Sequence, residues 1–140
     1  MPPFNGISHV DLTVSNLATS IDFYRRVLGA QPVLDGRSDA ERFTVQYLVE
    51  PSTTTIIGLV QHDELADAPF SPRVRGLDHL SFGVGSRADL DAWEQHLTTL
   101  GVPHGPISDQ GVGAGLNFTD PDGIALEFYH LTVALPGAAS

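Results

Sequence analysis

The chain has 140 residues, a formal net charge of −10 and no cysteine, and its seven basic side chains are all arginines. That length makes one ordinary domain, and the missing thiols exclude a disulfide scaffold, a thiolate zinc site and a cysteine nucleophile. The charge argues against nucleic acid and anionic membrane as partners, and against a strongly anionic ligand unless arginines gather locally.

The N-terminal MPPFNGIS lacks the basic and apolar regions of a signal peptide. No apolar run approaches the roughly 18 residues of a membrane span. With no cysteine, the expectation is a cytoplasmic protein.

The first predicted element is a strand, ISHVDLTV over 7–14. Alternation puts Val10, Leu12 and Val14 on one face, and Ile7, His9, Asp11 and Thr13 on the other. A helix follows from Ser15 or Asn16, both good N-caps, with Leu17, Ile21, Tyr24 and Leu28 as its apolar stripe. It ends at Leu28-Gly29. Strands are predicted near 31–37, 41–49 and 55–62, and the aperiodic 63–75 reads as a linker.

The pattern then starts again. LDHLSFGV (77–84) repeats the spacing of ISHVDLTV, with Leu80, Phe82 and Val84 opposite His79, Ser81 and Gly83. A second helix starts at Ser86, with Asp89 three residues on, and carries Leu90, Trp93, Leu97 and Leu100. It ends at Leu100-Gly101, and strands are predicted near 104–109, 112–119 and 123–131. Asp120-Pro121-Asp122-Gly123 reads as the turn into the last strand. There Leu126 and Phe128 share one face, and Ala125, Glu127 and Tyr129 the other.

Two βαβββ modules, 6–62 and 76–131, therefore fill a single domain over 1–140, with 132–140 as a tail. The expected class is α+β: curved mixed sheets around a cleft. The helices cover the apolar faces. The faces bearing His9, His79 and Glu127 then look into water or into the cleft. Taken singly, each is an ordinary exposed residue. Together, two imidazoles at equivalent repeat positions and a carboxylate of the same parity form a donor set for a divalent metal with open positions.

The segments SHVDLTVSNLATSIDFYRRVLG, LDHLSFGV and FTDPDGIALEFY resemble the vicinal oxygen chelate superfamily. It includes glyoxalase I, extradiol dioxygenases, methylmalonyl-CoA epimerase, fosfomycin-resistance enzymes and bleomycin-binding proteins. The resemblance covers residues 6 to 131 and implies metal ligands on the first and last strands of each module. His9, His79 and Glu127 occupy three such positions, and the fourth falls on Gly58, which cannot ligate. The missing carboxylate speaks against glyoxalase I. The absence of lysine speaks against the fosfomycin enzymes.

The implied function is a metalloenzyme acting on a small substrate with adjacent oxygens, dioxygenase-like or glyoxalase/lyase-like. The ion would be Fe, Zn, Ni or Mn. His62 and Tyr129 are the proton-transfer candidates, with His62 also readable as a ligand or as an exposed strand-end residue. Tyr47 would line the cavity; His104, His96 and His130 are given no role. The alternative is a metal-independent drug-binding protein, which the acidic charge suits and the intact His/His/Glu set does not. The resemblance also implies a homodimer.

Overall fold

Asn16 and Ser86 start the two helices, each by the same device. In the computed structural model, which describes residues 1–133, the Asn16 side chain accepts from Thr19 N–H at 3.0 Å and the Ser86 hydroxyl from Asp89 N–H at 3.1 Å. The chain divides into two compact units, Met1–Ala68 and Pro69–Ser140. Residues 134–140 of the predicted tail lie outside the described residues.

The first unit runs β1 (Val10–Thr13), α1 (Leu17–Leu28), β2 (Gln31–Ser38), β3 (Phe43–Glu50) and β4 (Thr55–His62). Its sheet has the order β1-β4-β3-β2, with β1 parallel to β4 and the other pairs antiparallel. Gly29 closes α1 in the left-handed region, at φ 69°, where a side chain would be strained. The buried stripe of α1 is Ser20, Phe23, Tyr24 and Val27. Leu17, Ile21 and Leu28 are only half-buried, which corrects the predicted stripe. Both stripes contain Tyr24. The helix is rolled by about one residue so that Phe23 and Tyr24, in edge contact at 5.2 Å, both enter the core.

The second unit runs β5 (Leu80–Gly83), α2 (Arg87–Leu100), β6 (Ser108–Asp109), β7 (Gly113–Thr119) and β8 (Ala125–Leu131). Its order, β5-β8-β7-β6, repeats the first sheet, again with the first and last strands parallel. Trp93 of α2 stacks on Phe128 at 4.1 Å, and Phe128 on Phe118 at 5.0 Å. The predicted strand over 104–109 shrinks to β6 and an isolated bridge between His104 and Phe118. Pro103 and Pro106 have no N–H to give a ladder. The turn at 120–123 forms as predicted: Asp120 Oδ1 accepts from Asp122 N–H at 3.0 Å and from Ile124 N–H at 2.8 Å.

Both lead strands are shorter than the predicted runs, because cross-strand pairing begins only at Val10 and Leu80. His9 and His79 are thus the residues immediately before β1 and β5. Strand alternation decides the rest. Leu12, Leu48, Ile57 and Leu59 are buried on the α1 side of the first sheet. Leu116, Phe118, Leu126 and Phe128 are buried on the α2 side of the second. The opposite faces carry Asp11, Tyr47 and Gly58 in the first sheet and Ser81, Gly115 and Glu127 in the second. Among the described residues, no helix is long and apolar enough to cross a membrane.

Candidate functional site

Glu127 is an acid in an otherwise apolar strand, and the second unit is built to hold it. It is 7% exposed, so its charge needs partners. Ser81, directly opposite on β5, donates its hydroxyl to Oε2 at 2.8 Å. The other oxygen, Oε1, occupies space that any side chain at Gly115 would fill. Gln110 places its amide nitrogen 3.1 Å from that same Cβ position.

The remaining partner is His79, whose Nε2 lies 3.6 Å from Glu127 Oε2. Asp78 faces the other ring nitrogen, with Oδ1 2.7 Å from Nδ1. A carboxylate only accepts, so in the neutral ring Nδ1 carries the hydrogen and Nε2 presents its lone pair toward Glu127. Two donors bound to one ion at about 2.1 Å, at angles of about 90–110°, stand about 3.0–3.4 Å apart. The His79–Glu127 pair is therefore close to a two-donor arrangement, with the imidazole held from behind as metal-binding histidines commonly are. Tyr129, two residues on and on the same face, lays its phenol over Gly113, where a Cβ would meet the hydroxyl at 2.6 Å.

The first unit repeats the arrangement with one exchange. Ser8 Oγ lies 3.2 Å from His9 Nδ1, and His9 Nε2 lies 3.9 Å from Asp11 Oδ1. The Tyr47 ring meets the His9 ring edge-on at 5.8 Å. Gly58 offers no donor, as expected, and the Asp11 carboxylate fills the space beside it. Sequence reading placed Asp11 on this face and gave it no role. It assigned no role to Asp78, Ser8 or Gly115 either.

His62 stands at the other end of β4, its ring against Phe43 at 5.7 Å. Four residues of strand put it about 13 Å along β4 from Gly58. That span removes it from the His9–Asp11 corner. Its neighbour Asp63 binds Arg37, with Arg37 Nη2 donating to Oδ2 at 2.7 Å. This arginine, through its hydrogen bonds foremost, holds the Asp63 carboxyl below its ordinary range. Arg42 pairs with Glu64, Arg26 with Asp22, and Arg87 with Asp91 and Asp109.

His104 faces Thr98 Oγ1 with Nε2 and the Gly105 carbonyl with Nδ1, and lines an open hollow of about 380 Å³ with Phe118 and Leu126. That hollow includes neither His79 nor Glu127. His96 packs edge-on against Trp93, and His130 Nδ1 lies 3.3 Å from the Val84 carbonyl. Among the described residues, no three or more His, Cys, Asp or Glu side chains gather into a group that could hold a metal ion. In each unit one imidazole turns Nε2 toward a carboxylate: His9 toward Asp11, and His79 toward Glu127.

The family model described as the Glyoxalase/Bleomycin resistance protein/Dioxygenase superfamily matches residues 6–128. A metallothiol transferase FosB of Staphylococcus epidermidis is 49% identical over 126 residues, covering 89% of this chain and 82% of that protein. The crystal structure of a glyoxylase/bleomycin resistance protein/dioxygenase domain from Frankia sp. EAN1pec superposes with a TM-score of 0.83 at 36% identity, covering 92% of this chain and 99% of that one. The fosfomycin resistance protein FosX of Listeria monocytogenes, solved with Mn(II) and sulfate, shares the fold. Its TM-score is 0.67 at 20% identity, with 94% and 96% of the two chains covered.

Proposed function

Because the chain belongs to the Glyoxalase/Bleomycin resistance protein/Dioxygenase superfamily, we propose that it is a metal-dependent enzyme acting on a small substrate with adjacent oxygens. The observation that carries this reading is the His79–Glu127 pair at 3.6 Å, with the carboxylate buried, cradled at Gly115 and bonded by Ser81. An imidazole nitrogen and a carboxylate oxygen are fitting donors for a divalent ion. In this reading His79 and Glu127 hold the ion, and His9 completes a 2-His-1-carboxylate set.

When bound, the ion supplies Lewis-acid polarisation of a substrate oxygen. Asp78 and Ser8 orient the two imidazoles. Ser81 keeps the Glu127 carboxylate in place. Tyr129 turns a hydroxyl toward the same face as Glu127 and is the second unit's proton-transfer candidate.

Of the reactions such a site supports, thiol transfer comes first, because the relative at 49% identity is named a metallothiol transferase. In that reaction a sulfur–carbon bond forms and a carbon–oxygen bond breaks at the same carbon. The thiol proton ends on the freed oxygen. Oxygen-dependent ring cleavage and isomerisation rank behind it. The substrate is read as neutral or cationic, as the net charge is −10 and Arg26, Arg37, Arg42 and Arg87 are tied to carboxylates. A homodimer fits the exposed Val33 and Leu34 on the edge strand β2.

The test begins with metal analysis and calorimetry with Mn(II), Ni(II) and Zn(II) on the wild type and on His79→Ala. Next comes an activity panel of small thiols with electrophilic oxygenated substrates, hemithioacetals, and catechols with Fe(II) and oxygen. Stoichiometric metal lost in His79→Ala, with thiol consumption in the first arm, supports the reading. A wild type that binds no divalent metal refutes it.

A further inference from the structure

Gly58, Gly113 and Gly115 lie on the strand faces turned away from the helices, and each is explained by a neighbour. A side chain at Gly58 would collide with the Asp11 carboxylate, one at Gly113 with the Tyr129 phenol, and one at Gly115 with the Glu127 carboxylate. Gly83, on β5, has no such explanation. Among the described residues, nothing lies within 4 Å of a Cβ built there. Its φ is outside the left-handed region, so the backbone admits any side chain. Its ladder to β8 runs regularly from Leu80–Leu126 to Gly83–Tyr129, so no bulge calls for a glycine either. A glycine inside a strand weakens it, and without a bulge or a crowding neighbour it marks the close approach of something else.

The surroundings of Gly83 say what approaches. Ser81, about 7 Å back along β5 on the same face, is bonded to the Glu127 carboxylate at 2.8 Å. His79 turns Nε2 toward that carboxylate at 3.6 Å. Tyr129 stands directly across from Gly83 on β8, yet its ring leans the other way, over Gly113 on β7. The space above Gly83 is thus left open by its own cross-strand neighbour, next to the His79–Glu127 pair. The row across the sheet at this level is Gly83, Tyr129, Gly115 and Ser108, none of them charged.

We propose that Gly83 floors a subsite for the uncharged carbon part of the substrate, whose adjacent oxygens point toward His79 and Glu127. The proposal rests on the reading of His79 and Glu127 given above, and all of its residues belong to the second unit. It makes position 83 the one that sets substrate size. A substrate carrying a ring or a branched chain needs the open space, and a side chain at 83 takes it away.

The probes are catechol and 4-tert-butylcatechol, titrated calorimetrically under nitrogen, with and without Mn(II), into the wild type, Gly83→Val and His79→Ala. Thermal unfolding without ligand checks the fold of each. Gly83→Val is expected to melt at or above the wild type, because valine is the better strand former and enters empty space. It is expected to bind 4-tert-butylcatechol about 10-fold or more weakly than the wild type, the scale of a few carbon atoms gained or lost in a binding site. His79→Ala is expected to lose both catechols. Wild-type affinity for 4-tert-butylcatechol in Gly83→Val, with loss in His79→Ala, overturns the subsite and leaves the reading of His79 and Glu127 standing. A Gly83→Val that melts below the wild type also overturns it, since the space is then filled by the chain itself or by a second copy. A wild type that binds neither catechol, or a His79→Ala that binds both like the wild type, overturns the subsite and the substrate reading together.

Discussion

Gly115→Ala should damage the candidate site without touching any residue that could bind a metal. The added Cβ would collide with Glu127 Oε1 and lie 3.2 Å from its Cδ and 3.1 Å from Gln110 Nε2. The carboxylate is 7% exposed and cannot swing into water without leaving Ser81. Overpacking of this kind costs about 1–3 kcal/mol, more than the gain from a better strand former. At about 3 °C per kcal/mol for a chain of this size, melting should drop by about 3–10 °C. Metal affinity should fall as well, since Oε2 moves away from His79. Gly83→Ala is the control: it lies on the same sheet face, on β5, and its Cβ would meet nothing within 4 Å. Melting curves and metal titrations of the two variants decide the matter. If Gly115→Ala melts with Gly83→Ala and binds metal like the wild type, the cradle described for Glu127 is wrong.

Ser81→Ala removes a 2.8 Å hydrogen bond to a buried carboxylate and should cost about 1.5–3 kcal/mol in denaturant unfolding. Asn16→Ala removes the α1 cap and should cost about 1 kcal/mol, with no effect on metal binding. Glu50 accepts from the Thr53 hydroxyl first, then from Ser52 N–H and hydroxyl, and these bonds lower its pKa from 4.5 to about 2. A depressed acid stabilises the fold above its unfolded pKa and loses that contribution as pH falls through the folded one. Acid unfolding of Glu50→Gln should therefore be less steep than wild type between pH 4.5 and about 2, and identical curves would remove the turn's role.

Much of the architecture was legible because its signals are local. Alternation sorted His9 from Val10 and Glu127 from Phe128 correctly, since successive strand residues must face opposite ways. The caps at Asn16 and Ser86 and the glycines at 29 and 101 were readable because each acts within a few residues. The stripe of α1 was misphased. Side-chain polarity alone does not say how far a helix rolls to bury two adjacent aromatics. The predicted strand over 104–109 is longer than β6, because Pro103 and Pro106 have no N–H to give a ladder.

By itself the sequence determined the repeat, the face of each strand and the residue types available for chemistry, because these follow from backbone periodicity and composition. Only tertiary structure decided what stands beside what. The places of Ser81 against Glu127 and of Asp11 over Gly58 depend on cross-strand register. Residues 46 and 47 positions apart in the chain become neighbours there, and no spacing along one strand records it. A glycine that reads as a missing ligand in the sequence is, in space, the opening that the Asp11 carboxylate fills.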